Sequence, residues 1–222
     1  MLGLRTVNEN RQSHDGTFQW PLVGGTAEAP DWDGGKAECG GGLHFLPWGE
    51  GDGSLLYWFP NAIWQVVDDD NATDTVLFEG KAKAHKLTVV FEGNQKEATD
   101  YILAHGAAGK AVVGATVVVG DNHGALSGYN GKSISGRYGQ STSGIDGQSI
   151  SGNDGQSTSG NYGQSISGND GQSTSGIDGT IIIKHWDGER YRTIVGYVGE
   201  DGILPNVAYK LDKKGKFVKA KE

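Results

Sequence analysis

The chain is poor in cysteine, methionine and proline, and it has no long hydrophobic run. Its 222 residues include one cysteine, one methionine and five prolines. A single thiol excludes a disulfide framework and a cysteine-rich zinc site, and a free cysteine such as Cys39 is typically a small buried residue. No stretch approaches about 18 apolar residues, and the N-terminus lacks the apolar segment of a signal peptide. We therefore expect a cytoplasmic protein without a membrane span.

Basic residues are scarce as well. Lys and Arg total 19 against 27 Asp and Glu, so the formal net charge is -8. Binding to the nucleic-acid backbone requires a basic face, and this composition argues against such a partner. An acidic surface remains compatible with a protein partner.

Glycine, in contrast, is abundant and regularly spaced. Between residues 120 and 179 it recurs every eight residues in two phases around a Ser-X-Ser triplet, as in "GQSTSGIDGQSISGND". A flexible linker needs no such register. The X residue alternates between Ile and Thr, so the true repeat is sixteen residues. This period predicts a two-faced β-solenoid over residues 111–180, with like residues stacked because neighbouring coils hydrogen-bond in register.

The orientation of the triplets follows from the alternation of side chains across a strand. Burial of apolar surface contributes roughly 25 cal/mol per Å², so we expect the Ile and Thr side chains inside and the serines outside. The outer serine face is then a candidate binding surface, represented by Ser149, Ser151, Ser165 and Ser167. The glycines are expected at turns that need a positive φ. The Asp-Gly pairs are turn signals, so we expect no metal and no cofactor.

The flanking segments have the composition of folded structure. Strands are predicted at 41–46, 62–67, 74–80 and 85–93, and a helix at 94–106. Residues 1–110 are therefore a small α+β domain. Residues 181–222 are predicted to form an antiparallel β-hairpin or sheet that caps the solenoid, since open solenoid ends promote aggregation. The chain as a whole is predicted to be mainly β.

Three segments occur in order around the repeats: "ECGGGLHFLPWGEGDGSLLYW", "TVLFEGKAKAHKLTVV" and "DGERYRTIVGYVGEDGILPNVAYKL". They resemble an uncharacterised family of phage and bacterial proteins with a Gly-Leu/Phe-His-Phe N-terminal domain, a Gly/Ser-rich repeat array and a small β cap. The resemblance implies a phage or prophage origin. Leu46-Pro47 replaces the family's second cysteine, so cysteine chemistry is not carried over. The repeat also resembles the coils of bacterial ice nucleation proteins, although it lacks their Thr-X-Thr pairs.

Individual candidate residues lie in the N-terminal domain. His44, in "GLHF", resembles the start of a substrate strand in ADP-ribosyltransferase-like folds, although a lone strand histidine is more often structural. Trp48 and Trp58 belong to an aromatic-rich segment and are candidates for a partner interface. The lysines of "GKAKAHK" (80–86) are expected on a solvated face.

These observations favour a non-enzymatic interaction protein, encoded by a phage or prophage, that uses the solenoid as a rigid spacer or docking face. We expect a protein partner. If the chain is a phage protein, this partner is a host protein, and host defence proteins are among the candidates. A homodimer is also expected, because flat repetitive faces can pair with copies of themselves. Two alternatives remain open: an ice- or glycan-binding solenoid surface, and an ADP-ribosyltransferase-like enzyme that uses the N-terminal domain.

Overall fold

The computed structural model describes residues 1–13, 15–70 and 74–220. The chain forms two compact units, residues 1–114 and the residues from 115 onward. The predicted cap extends to residue 222, and its last two residues, 221 and 222, lie outside the described residues. The domain boundaries predicted after residues 110 and 180 stay predictions.

The first unit contains a seven-stranded antiparallel sheet. Its strands are β1 (Leu2–Val7), β2 (Thr26–Glu28), β3 (Leu43–Pro47), β4 (Ile63–Asp68), β5 (Val76–Phe78), β6 (Lys81–Ala84) and β7 (Lys86–Gly93). They lie in the order β2-β7-β4-β1-β3-β6-β5. The four predicted strands are confirmed as β3, β4, β5 and β7, whereas β1, β2 and β6 were not predicted from the sequence.

The helix α1 (Gln95–Ile102) packs against β1, β4 and β7. It begins with a capping box, in which the Asn94 side chain accepts from the Glu97 backbone N–H and the Glu97 carboxylate accepts from that of Asn94. Such a cap satisfies N–H groups that have no partner inside the helix. A π-helical turn follows over Leu103–Ala107, where Gly106 has a φ of 122°. The helix predicted at 94–106 is confirmed.

The apolar core of this unit draws residues from six strands. Its members include Val7, Trp20, Ala27, Leu43, Phe45, Val67, Ala82, Leu87 and Val89. Strand alternation explains the set, because residues two apart on one strand point to the same face.

The lysine segment at 80–86 is only partly the solvated face that the sequence suggested, since Lys86 is exposed and Lys83 is not. Lys83 on β6 is fully buried, and its ammonium lies 2.7 Å from the Asp33 carboxylate. The ammonium also donates to the carbonyl oxygens of Glu38 and Gly40. Hydrogen bonding to Lys83 lowers the pKa of Asp33. The expectation of a buried Cys39 is wrong too, since this residue is exposed.

The second unit is built from two parallel sheets. The first sheet contains β8 (Thr116–Val118), β10 (Lys132–Ile134), β12 (Gln148–Ile150), β14 (Gln164–Ser167) and β16 (Thr180–Trp186). The second contains β9 (Gly124–Leu126), β11 (Gln140–Thr142), β13 (Gln156–Thr158) and β15 (Gln172–Thr174). Ile134 pairs with Ile150, and Thr142 with Thr158, so each coil takes sixteen residues. The predicted β-solenoid and its Ile and Thr ladders are confirmed.

The predicted orientation of the triplets, however, is wrong. The serines lie inside, with 0 to 4% of their surface exposed from Ser127 to Ser175, and the Ile and Thr side chains point outward. Hydroxyls from the two sheets bond directly to each other, as in Ser149 to Ser143 at 2.9 Å. Ser149 Oγ also lies 2.5 Å from the Thr158 carbonyl oxygen. The gap is spanned by two serine side chains, so it has no room for opposed isoleucines.

The glycines of the repeat serve close approach rather than a positive φ. Non-glycine residues hold the left-handed turn position, which precedes the second glycine of each repeat and, at Asn122, precedes His123. These residues are Asn122, Asn130, Tyr138, Asp146, Asp154, Tyr162, Asp170 and Asp178. A Cβ on Gly144 would lie 2.7 Å from the Gly128 carbonyl carbon, and one on Gly155 would lie 2.9 Å from the Gly139 oxygen. Each coil therefore touches the preceding coil through backbone at its corners.

Two antiparallel hairpins complete the second unit, and the predicted C-terminal β cap is confirmed. In the first sheet β17 (Tyr191–Tyr197) pairs with β16. In the second, β18 (Tyr209–Leu211) pairs with β15, and β19 (Phe217–Lys219) with β18. A small apolar core of Ile181, Val198, Ile203 and Tyr209 lies beneath these hairpins.

Candidate functional site

A cavity in the first unit opens where β1 and β3 separate. These strands pair only at Gly3 with Pro47 and Leu4 with Leu46. The cavity measures about 610 Å³ and is lined by residues of both strands and of the loops around them. Arg5 of β1 and His44 of β3 are among its lining residues.

Arg5 carries a positive charge into this cavity wall. Its surface is only 8% exposed, and its guanidinium carbon lies 3.3 Å from the centre of the Trp20 ring. Burial lowers the pKa of Arg5, although a guanidinium stays protonated at neutral pH. Its Nη1 donates to the His44 carbonyl oxygen at 3.2 Å. Within the described residues Arg5 makes no ion pair.

His44, the candidate from the sequence, is half-buried in the same wall. Burial lowers its pKa to about 4, with contributions from the positive charges of Lys81, Lys83 and Arg5. The imidazole is therefore neutral at pH 7. Its Nε2 is enclosed and has no hydrogen-bond partner in the described part of the chain.

The lowered pKa of His44 should make stability depend on pH. The unfolded chain takes up a proton near pH 6.5 and the folded one only near pH 4, so stability falls as pH drops between these values. Because His44 is only half-buried, we expect this loss to be about 1–2 kcal/mol.

Urea denaturation of His44→Gln at pH 7 and pH 4 should show a smaller decline in the free energy of unfolding than the native protein shows. The exposed His123→Gln serves as the control, and an equal decline in His44→Gln would contradict the assignment.

The two tryptophans predicted at an interface are half-buried within the first unit. Trp48 has a positive φ of 54° and packs against Gly106. Trp58 donates from its indole N–H to the Gly53 carbonyl oxygen and meets Trp64 edge-on at 5.1 Å. Both side chains therefore contribute to packing, and their interface role stays a prediction.

In the second unit, the outward side chains form continuous rows. The aliphatic ladder consists of Val118, Ile134, Ile150, Ile166, Ile182 and Val195, paired in this order. Its ends are exposed, Val118 by 66% and Val195 by 44%. On the second sheet the outward row consists of Thr142, Thr158 and Thr174, with Leu126 at its first position. We call it the threonine row, and a row of Gln140, Gln156 and Gln172 lies beside it.

The serines predicted as an outer binding face lie in the interior. Ser149 and Ser165 are fully enclosed, and Ser151 and Ser167 nearly so. Their hydroxyls bond to other serines or to backbone carbonyls, as Ser165 does with the Ser157 oxygen. An ice- or glycan-binding face built on these four hydroxyls therefore has no exposed surface.

Sequence reasoning missed Arg5 and Trp20. The segment "LGLRTV" has a weak strand pattern, but the charge at Arg5 indicates an exposed position rather than a buried one. Trp20 lies fifteen residues from Arg5 in the sequence, so a local pattern of polar and apolar residues cannot relate the two. Only the fold brings the Trp20 ring against Arg5, whose guanidinium reaches the His44 carbonyl oxygen.

None of the helices in the described ranges is long and apolar enough to cross a membrane. Across those same ranges no three His, Cys, Asp or Glu side chains gather as a metal-binding group.

Comparison with known proteins gives two matches. A family model described as Domain of unknown function (DUF7666) matches residues 1–101. An ice nucleation protein of Xanthomonas campestris pv. translucens is 38% identical over 109 residues, which is 47% of this chain and 7% of that protein. The chain thus spans a small fraction of its curated relative. No solved structure gives a significant match. The chain is a β-solenoid repeat protein with distant similarity to an ice nucleation protein.

Proposed function

We propose that this protein is a non-enzymatic interaction protein whose solenoid is a rigid docking face for a protein partner, with the aliphatic ladder as the contact. The supporting observation is that six apolar side chains stand in register across six strands. The two end valines are exposed and the four isoleucines between them are half-buried. A contiguous apolar strip that reaches the surface in this way commonly marks an interaction site. The row beside the ladder is Thr116, Lys132, Gln148, Gln164, Thr180 and Tyr197. With a single charge, it suits an interface core, where charged residues are depleted.

A second copy of the chain is the partner that this surface fits best. Two identical ladders share the same strand spacing of about 4.8 Å, so their side chains can interdigitate along the whole length. A two-fold axis then brings the same patch together on both copies. A phage or prophage origin and a host protein as an additional partner belong to this proposal, and they rest on the sequence resemblance alone. A cytoplasmic location belongs to it as well, and it rests on the lack of a long apolar run in the sequence.

The test compares charge substitutions on the two sheets. In Ile150→Lys/Ile166→Lys, two adjacent coils of the aliphatic ladder carry a charge that pairing would desolvate. The matched control, Thr142→Lys/Thr158→Lys, places the same charges on adjacent coils of the threonine row. We expect light scattering after size-exclusion chromatography to give a dimer for the native protein and the control, and a monomer for the ladder variant.

A native protein that is monomeric at every concentration would overturn self-pairing. A second assay then tests whether the aliphatic ladder binds a different protein. Native protein and both variants would be immobilised and exposed to one defined bacterial lysate. A stoichiometric protein held by the native chain and the control, but lost from the ladder variant, supports the docking face. Equal retention on all three overturns it.

A further inference from the structure

We propose that the cavity between β1 and β3 binds a small organic anion, a carboxylate or phosphate carried on an apolar body, with the Arg5 guanidinium as its anchor. This site lies within the first unit and is independent of the aliphatic ladder. Its ligand is a small molecule, whereas the docking proposal concerns a protein surface.

The first argument is the unbalanced charge of Arg5. A buried charge is normally paired, because removing an ion from water costs far more than an apolar contact returns. Arg5 has the Trp20 ring and one carbonyl oxygen as neighbours, and neither cancels its charge. Its Nη2 makes no hydrogen bond to the described residues and is not fully enclosed. This nitrogen is therefore open to an anionic oxygen from the cavity.

The second argument is the clustering of unpaired polar atoms. Within the described part of the chain, four buried side-chain atoms have no partner, and three of them belong to Arg5, Trp20 and His44. All three residues line the same cavity. More than about 90% of buried polar groups in proteins are hydrogen-bonded. Three exceptions around one cavity show that its wall is polar and incompletely paired. The three atoms are themselves enclosed, so a bound molecule would contact this wall through the accessible Nη2 of Arg5.

The charge distribution selects an anion. Among the described residues that line the cavity, four are charged, Arg5, Lys81, Asp15 and Asp31, and only Arg5 of these four is buried. The Asp15 carboxylate is exposed and already accepts from Ser13 and Thr17. Asp31 is exposed to solvent. The enclosed part of the wall is thus positive, while the carboxylates stay in water, where their field is screened.

The remaining wall indicates an apolar body on the ligand. Besides Trp20, the described residues contribute seven apolar side chains to it: Phe18, Pro30, Leu43, Phe45, Leu46, Leu55 and Leu56. Pockets for small organic molecules measure about 300 to 1,000 Å³ and combine apolar walls with a few polar anchors. The volume of about 610 Å³ falls in this range and exceeds what an inorganic ion would fill. Guanidinium groups bind both carboxylates and phosphates with paired hydrogen bonds.

The first experiment uses the native chain and matched ligands. Benzoate and phenyl phosphate carry the two anionic groups on a phenyl ring, and benzamide is a neutral counterpart of benzoate. Binding to the folded state raises the unfolding midpoint. We expect one or both anions to raise the midpoint of the native protein well above the effect of benzamide at the same concentration and ionic strength. The more effective anion identifies the ligand class, and no difference from benzamide overturns the proposal.

The second experiment removes the anchor. In Arg5→Met we expect the affinity for anilinonaphthalene sulfonate, an anionic fluorescent probe, to fall at least about tenfold, since a hydrogen bond to a charged group is lost. Phenylnaphthylamine has the same aromatic body without the charge and should bind unchanged, which also shows that the cavity is intact. Arg137→Met, in the second unit, should bind both probes normally. Unchanged affinity of Arg5→Met for the anionic probe overturns the assignment, and if this variant does not fold, the comparison of benzoate with benzamide decides.

Discussion

Replacing Gly152 with alanine is expected to lower the free energy of unfolding of the solenoid by about 3 kcal/mol, at the upper end for inserting a methyl group into a packed interior. The new Cβ would lie 2.7 Å from the Arg137 nitrogen and 2.7 Å from the Gly136 carbonyl carbon. These are backbone atoms of the preceding coil, held in the ladder by the bond from the Gly152 N–H to the Gly136 oxygen. No side chain can rotate away, so the coils must separate and lose hydrogen bonds.

Gly120→Ala is the matched control because Gly120 stands two coils earlier in the same glycine row. A Cβ there meets nothing within 4 Å, and its backbone is not in the left-handed region. Its stability should be unchanged or slightly higher, as the unfolded chain loses freedom. Urea denaturation followed by far-UV circular dichroism measures both variants. Equal stabilities of Gly120→Ala and Gly152→Ala would show that close approach between coils does not require glycine.

The register of the solenoid could be predicted from the sequence, whereas its interior could not. Coils hydrogen-bond to neighbours at identical positions, so the alternation of Ile150 with Thr158 reports the coil length directly. Which side faces inward depends on the distance between the sheets, and a repeat period contains no information on that distance. At a gap spanned by the Ser149 and Ser143 hydroxyls, hydrogen bonding replaces apolar packing. The general preference for buried isoleucine is overridden by lack of space.

At the C-terminal end of the solenoid, apolar side chains instead of serines occupy the interior. Ile181 and Ile183 occupy the positions that serines hold in the preceding coil, and both are buried. There the interior meets Val198 and Ile203 of the cap rather than a second row of serines. In the run "TIIIK", apolar residues thus replace the inward serines at the strand whose interior packs against the cap.

In the first unit, sequence patterns predicted strands from their apolar and β-branched content but not the two strands with a buried charge at their centre. β1 contains Arg5 and β6 contains Lys83, and both charges are buried through long-range partners. Lys83 meets Asp33, fifty residues earlier in the chain, and Arg5 meets Trp20. His44 was identified from the sequence as a candidate, and the structure assigns it to the cavity wall. Its neighbour Arg5 provides the charge, which only the tertiary fold reveals.

The C-terminal hairpin of the second sheet is expected to depend on one side chain. Tyr209 is 4% exposed, and its hydroxyl accepts from the Leu204 N–H and donates to the Gly202 oxygen. Its strand β18 is paired with β15 only at Ser173 and Tyr209. Tyr209→Ala should therefore lower the free energy of unfolding by about 3–5 kcal/mol, the usual cost of removing a large aromatic ring from a core.

The loss should also change how the protein associates. Without the hairpin, β15 presents unpaired backbone groups at a sheet edge, and such an edge recruits strands from other molecules. Hydrogen exchange of Tyr209→Ala should accelerate over Gln172–Thr174, and light scattering should show aggregates that grow with protein concentration. Tyr197→Ala, which removes a ring that is 53% exposed on the other hairpin, should leave stability within about 0.5 kcal/mol of the native value. If both tyrosine variants lose stability equally, or if exchange at β15 stays slow in Tyr209→Ala, the hairpin does not protect this edge through Tyr209.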